Sequence, residues 1–176
     1  TDHAEYFGEL SLCLDQDEAQ YALPLCVDMR NEKQERELTT RVYKNLIIRD
    51  VTSPAPRREN SLCGEDNSAC HKRARRMWQK IIEVADAYNS PGEFTTFVAY
   101  EWTGNTNFNN LHRNIIFRNN HVPSLPASLF EANTPALLWR QLSEGCKAPC
   151  DVLGIPHNSN QSKGRQFPTT VSLEAA

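Results

Sequence analysis

Apolar residues fall into helical spacing most clearly between positions 74 and 88. There Ala74, Met77, Trp78, Ile81, Ile82, Ala85 and Tyr88 recur three or four apart. That period predicts an amphipathic helix whose stripe packs against a sheet, and Asn89-Ser90-Pro91-Gly92 stops it. The pattern then changes. Phe94 to Tyr100 is rich in aromatic and β-branched residues and predicts a buried strand, and Asn114 to Phe117 predicts a second. Thr134-Pro135 opens another helix, with a capping hydroxyl and a proline in the first turn. It carries Leu137, Leu138 and Leu142 and ends at Gly145. Asp151 to Ile155 is a third strand, short and apolar, as parallel strands covered on both faces tend to be.

The N-terminal half is less regular. Residues 11–30 mix Leu12, Leu14, Tyr21, Leu23 and Leu25 with acids, and Pro24 interrupts any helix there. Residues 31–45 are charged and predict a helix, whereas 50–70 read as a loop or surface excursion around Ser53-Pro54-Ala55-Pro56. The order helix, strand, strand, helix, strand gives an α/β class, in which 94–100, 114–118 and 151–156 are neighbouring strands of one sheet under the 74–88 helix. These strands are too few to close a barrel.

Composition narrows the picture. The chain has 176 residues, of which 39% are hydrophobic. Mean hydropathy is −0.60, so much of the chain is loop or solvated surface. A formal charge of −3 argues against nucleic acid as a partner, and no apolar run approaches a membrane span. The basic stretch His71, Lys72, Arg73, Arg75 and Arg76 reads as a solvated helix face. His71 and His121, in polar surroundings, read as surface.

Six cysteines at 13, 26, 63, 70, 146 and 150 are an even set grouped as neighbours. Sequential pairing closes three small loops, though six cysteines allow many connectivities. Disulfides are favoured over buried thiols or structural zinc, because no Cys-x-x-Cys pair occurs. Disulfides in turn imply a periplasmic or secreted protein.

The candidate chemistry sits beside the strands. Glu101 follows a mostly apolar run, where a carboxylate is costly to bury unless paired or metal-bound. His112 lies after the polar loop from Thr103 to Asn110, just before the second strand. His157 follows Ile155-Pro156 at the end of the third, ahead of Asn158-Ser159-Asn160. Asp2-His3 is a pairing in which a carboxylate can orient an imidazole, either behind a metal or as a general base. Each histidine also has an ordinary structural reading.

Four stretches together resemble the DUF3604 family: 1–6 (Thr1-Asp2-His3-Ala4-Glu5-Tyr6), 97–102 (ending Ala99-Tyr100-Glu101-Trp102), 110–114 around His112, and 150–160 around Ile155-Pro156-His157-Asn158. The likeness also takes in Leu62-Cys63-Gly64 and Cys70. That family in turn resembles a branch of the PHP (polymerase and histidinol phosphatase) superfamily. The resemblance implies one partial domain over 1–176, an incomplete arc of a distorted (β/α)7 barrel, with 11–72 as a family-specific cysteine-bearing excursion. It implies divalent zinc, manganese or iron, with His3, Glu101, His112 and His157 as ligands and Asp2 supporting His3. Glu101 would bridge two ions. The function implied is a metal-dependent hydrolase of phosphoesterase type, and the alternative is a non-catalytic module with a decayed site. The superfamily's His-x-His and closing Asp-x-His motifs do not occur in these residues, so the expectation is a piece of a longer enzyme.

Overall fold

The computed structural model describes residues 1–31, 49–51, 53–105 and 109–167. The expected helix at 31–45 falls almost wholly outside them, as does part of the loop expected after Thr103. The elements are helices α1 (Phe7–Leu14), α2 (Pro24–Arg30), α3 (Ser68–Tyr88) and α4 (Pro135–Gly145) and a three-stranded sheet of β1 (Val98–Asn105), β2 (Asn110–Phe117) and β3 (Val152–Pro156). A 3-10 turn spans Ala19–Ala22, and single helical turns span Arg49–Val51 and Asn60–Cys63. The α/β class is therefore observed as a mixed structure with a small sheet.

The sheet order is β1-β2-β3, and both pairings are antiparallel. This corrects the expectation that β3 runs parallel to its neighbour. A short apolar run encodes burial, but not the direction of the strand beside it. Because β2 is reversed, β1 and β3 point the same way. A fourth segment adds to this direction: the Glu101 amide donates to the Asp2 carbonyl at 2.8 Å, and the Ala4 amide donates to the Glu101 carbonyl at 2.9 Å. His3 thereby forms a parallel bridge with Glu101 at the sheet's edge.

Strand alternation divides the side chains. One face carries Tyr100 and Trp102 of β1 and Ile115 and Phe117 of β2, all essentially buried. They meet Trp78 of α3 edge-on, its ring 5.6 Å from that of Tyr100. Buried indoles need a partner for their N–H. Trp78 donates to the Pro123 carbonyl at 2.8 Å, and Trp102 to the Ala132 carbonyl at 2.7 Å. Helix α4 closes the layer with Leu138 and Leu142, and its Thr134 hydroxyl accepts from the Leu137 amide as the sequence predicts. Gly154 leaves room for α4: a Cβ there would stand 2.5 Å from the Trp139 ring.

Other boundaries move. β1 starts at Val98 rather than Phe94, because Ser90 bridges to Phe94 and the Thr96 hydroxyl donates to the Ala85 carbonyl, tying this stretch to the end of α3. Pro24 opens α2 at its first turn instead of interrupting a helix. Residues 60–70 are no simple surface loop: Leu62, Cys63 and Cys70 are buried with Leu12, Cys13 and Cys26 in a second apolar cluster. All six cysteines pair as neighbours, Cys13–Cys26, Cys63–Cys70 and Cys146–Cys150. Nor is the basic start of α3 wholly solvated. Arg73 is largely buried and pairs with Asp15 at 2.7 Å and Glu18 at 3.0 Å.

Candidate metal centre

The face of the sheet turned away from Trp78 carries the polar chemistry. Glu101 and Thr103 are two apart on β1, and the register sets Thr103 opposite His112 and Glu101 opposite Asn114. The His157 amide donates to the His112 carbonyl at 3.0 Å, which extends the β2–β3 pairing by one residue and brings His157 to the same face. Glu101 thus lies within β1 and His112 within β2. The expectation put them after and before their strands.

All four expected ligands come together. Glu101 Oε1 lies 3.6 Å from His3 Nε2, 3.1 Å from His112 Nδ1 and 3.9 Å from His157 Nδ1. The rings of His3 and His112 stand 5.8 Å apart, and those of His112 and His157 6.2 Å apart. Glu101 and His112 are buried, while His3 and His157 are open to solvent. Asp2 is exposed and meets Glu101 through its backbone carbonyl.

Two residues that the sequence reading passed over complete the cluster. Glu5 is buried, and its Oε2 lies 3.3 Å from His3 Nδ1. Its other oxygen accepts from the amides of Thr103 at 3.0 Å and Leu129 at 3.3 Å, which fixes the carboxylate. The Thr103 hydroxyl stands between two rings, 3.1 Å from His3 Nδ1 and 2.9 Å from His112 Nδ1. The available signal was the two-residue period: Glu5 follows His3 by two, and Thr103 follows Glu101 by two.

The electrostatics favour a cation. Among the described residues Glu101 has no arginine or lysine partner, only imidazoles. The hydrogen bond to Glu5 raises the pKa of His3 above the ordinary imidazole range. Burial opposes this, and the charges of Glu5, Glu101 and Asp2 add to it. His112 is pushed the other way, chiefly by burial, with His3 and His157 reinforcing it against the pull of Glu101. A neutral His112 is the form that can give a lone pair to a metal.

The donor set fits a divalent ion. Ligands about 2.1 Å from a tetrahedral centre stand about 3.4 Å from one another, and the distances from Glu101 Oε1 bracket that value. His3, Glu101 and His112 each offer a ligand atom within 4.8 Å of the others. Imidazole and carboxylate together suit zinc, iron or manganese. A second grouping, Glu9 with Cys63 and Cys70, offers no thiolate because its sulfurs form a disulfide.

Comparison with known proteins gives one match. A family model described as "Protein of unknown function (DUF3604)" covers residues 1–175, and the chain belongs to that family. No curated protein and no solved structure matches.

Proposed function

We propose that this DUF3604 protein is a divalent-metal-dependent hydrolase of phosphoesterase type, in which His3, Glu101, His112 and His157 hold zinc, manganese or iron. One observation carries the reading. His3 turns Nδ1 to the Glu5 carboxylate and Nε2 to the Glu101 carboxylate. With its proton on Nδ1, the neutral ring turns its Nε2 lone pair toward a carboxylate oxygen 3.6 Å away, a pairing that one bound metal ion would satisfy, where a doubly protonated His3 would form an ion pair instead.

A bound ion of this kind acidifies a coordinated water and polarises a phosphoryl oxygen. The chain's own residues do the rest. Glu101 supplies the buried negative charge. Glu5 and Thr103 fix the tautomer and tilt of His3 from its Nδ1 side, while on His112 the Thr103 hydroxyl meets the same Nδ1 that faces Glu101. His157, on the open side, leaves an approach for substrate. Asp2 adds exposed negative charge beside His3. The finer fold reading, an arc of a distorted (β/α)7 barrel, belongs to this proposal. The parallel His3–Glu101 bridge and the shared direction of β1 and β3 support it; the reversed β2 is a departure. The three disulfides support a periplasmic or extracellular site of action, and no helix among the described residues is long and apolar enough to cross a membrane.

The test is metal analysis of the purified protein with a p-nitrophenyl phosphate assay in zinc, manganese and iron(II), for the native chain and Glu101→Gln. The expected result is at least one equivalent of metal and metal-dependent turnover, both lost in the variant with the melting profile preserved. A protein that binds none of these metals would instead be a non-catalytic module. Unchanged turnover in Glu101→Gln would remove the central ligand from the reading.

A further inference from the structure

A cleft of about 810 Å³ opens directly beside His3, with Asp2 and Glu5 also in its wall. Its floor comes from two helices. On α1, Phe7, Leu10 and Leu14 fall at positions i, i+3 and i+7, one apolar stripe facing the cleft. On α3, Met77 and Ile81 stand one turn apart and face it from the other side. This floor is apolar and yet open: Leu10 is 43% exposed, Leu14 66% and Met77 37%. The opposite side of α1 holds the buried Glu9, Leu12 and Cys13, and of the stripe only Phe7 rests against the main core, so Leu10 and Leu14 are left open. The stripe begins at the metal centre and runs along a helix of eight residues, about 12 Å. At its far end the cleft turns acidic with Asp15 and Asp17. The cation lining it, Arg73, is committed to Asp15, Glu18 and the Ser11 hydroxyl.

We infer that this cleft binds the organic group of the substrate, an extended alkyl or aryl group up to about 12 Å long with a neutral or cationic far end, and that it rejects polyanions. The inference rests on the metal-centre reading for the position of the reacting group. It does not depend on that reading for the cleft itself. Apolar area explains the affinity for a chain, since each methylene removed from water adds to it. Charge explains the selectivity: Asp2 and Glu5 at one end and Asp17 at the other have no cation of the cleft to offset them, since Arg73 is paired with Asp15, so a nucleoside polyphosphate or inorganic polyphosphate meets repulsion at both ends and an apolar floor between them.

Calorimetric titration with methyl-, butyl- and octylphosphonate, and with tripolyphosphate, tests this on the zinc-loaded protein. Affinity should rise tenfold or more from methyl to octyl, and tripolyphosphate should bind more weakly than octylphosphonate. Leu14→Asp and Met77→Glu, both at exposed positions, should each flatten the chain-length dependence and leave methylphosphonate affinity unchanged. Glu101→Gln should weaken all three phosphonates alike and keep the chain-length trend. If that variant binds them as the native protein does, the metal reading fails while the cleft assignment stands. Equal affinity for methyl- and octylphosphonate overturns the assignment. So does tighter binding of tripolyphosphate, or a chain-length trend that survives both cleft variants.

Discussion

Glu5 and Thr103 decide how the histidines of the site can be used. Carboxylates and hydroxyls behind a ligating imidazole set its tautomer, and losing them typically weakens metal binding by about 10–100-fold. Thr103→Val keeps the shape of the side chain and removes the hydroxyl 2.9 Å from His112 and 3.1 Å from His3. Through His3, whose Nδ1 it backs, it should reduce zinc affinity within that range in a competition titration; unchanged affinity would show that the hydroxyl does not position His3. A different cluster governs acid stability. Arg58 is buried between Glu9 at 2.8 Å and Glu131 at 2.6 Å, and His71 lies 3.3 Å from the same Glu131 oxygen. Burial alone would raise the Glu131 pKa, but hydrogen bonds from His71, Ser128 and Arg58, with the Arg58 charge, outweigh it and bring the carboxyl down to about 2. Because the folded value lies below the ordinary 4.5, this carboxylate stabilises the fold fully above that pH, and the contribution fades as pH falls toward 2. Glu131→Gln should therefore cost on the order of 1–3 kcal/mol at pH 7 in denaturant unfolding, and the gap to the native protein should narrow below pH 4. A gap independent of pH would contradict the assignment. Such residues are hard to read in sequence: Arg58 and Glu131 are 73 positions apart, and nothing local marks either as buried.

At the scale of elements, two close approaches hold the layers. α1 crosses α3 at Gly8, where a Cβ would stand 2.3 Å from the Cys70 carbonyl oxygen. Backbone atoms of a helix cannot move aside as a flexible side chain can. Gly8→Ala should therefore separate the helices and cost about 1–3 kcal/mol or somewhat more, as a lowered denaturation midpoint, whereas a neutral result would mean that α1 re-seats freely. Trp78→Ala, removing an indole packed on Tyr100 and Phe117, should cost about 3–5 kcal/mol. Helices α3 and α4 were legible because their stripes and stop signals are long and local. The strands were legible as apolar runs, but their direction was not, since β2 is reversed by contacts that no run records. His112 was misplaced for a related reason. Its stretch, Asn110 to Asn114, is too polar to read as strand until Leu111 and Ile115 are seen to face the core while His112 and Asn114 face the site. The convergence of His3, Glu101, His112 and His157 was foreseen through the family resemblance, whereas Glu5 needed the fold of the first six residues.

Across the whole molecule, the proposed metal centre joins two parts that are stabilised differently. Glu101, His112 and His157 stand on the sheet, backed by the aromatic core around Trp78 and Tyr100. His3 instead lies on the segment that leads into α1, and α1 rests on a smaller cluster in which Leu12 and Leu62 are joined by four half-cystines. With only Leu12 and Leu62 fully buried besides the half-cystines, and Leu23, Leu25, Met29 and Ala69 partly buried around them, this core is small, so Cys13–Cys26 and Cys63–Cys70 add constraint to it. In the chain-entropy picture each is worth about 2–3 kcal/mol. Reduction should therefore act unevenly. Hydrogen exchange in reductant should show amides of 7–14, 24–30 and 60–70 opening first, while 98–105 and 110–117 stay protected. His3 would then be held by the backbone bonds of Asp2 and Ala4 to β1 and by its side-chain contacts with Thr103 and Glu5. Zinc affinity should fall in step with exchange in α1, by roughly the tenfold or more expected for loss of one imidazole's support. Uniform loss of protection, with the sheet opening alongside α1, would show that the two clusters form one cooperative core. Unchanged zinc affinity after α1 has opened would show that His3 does not hold the ion.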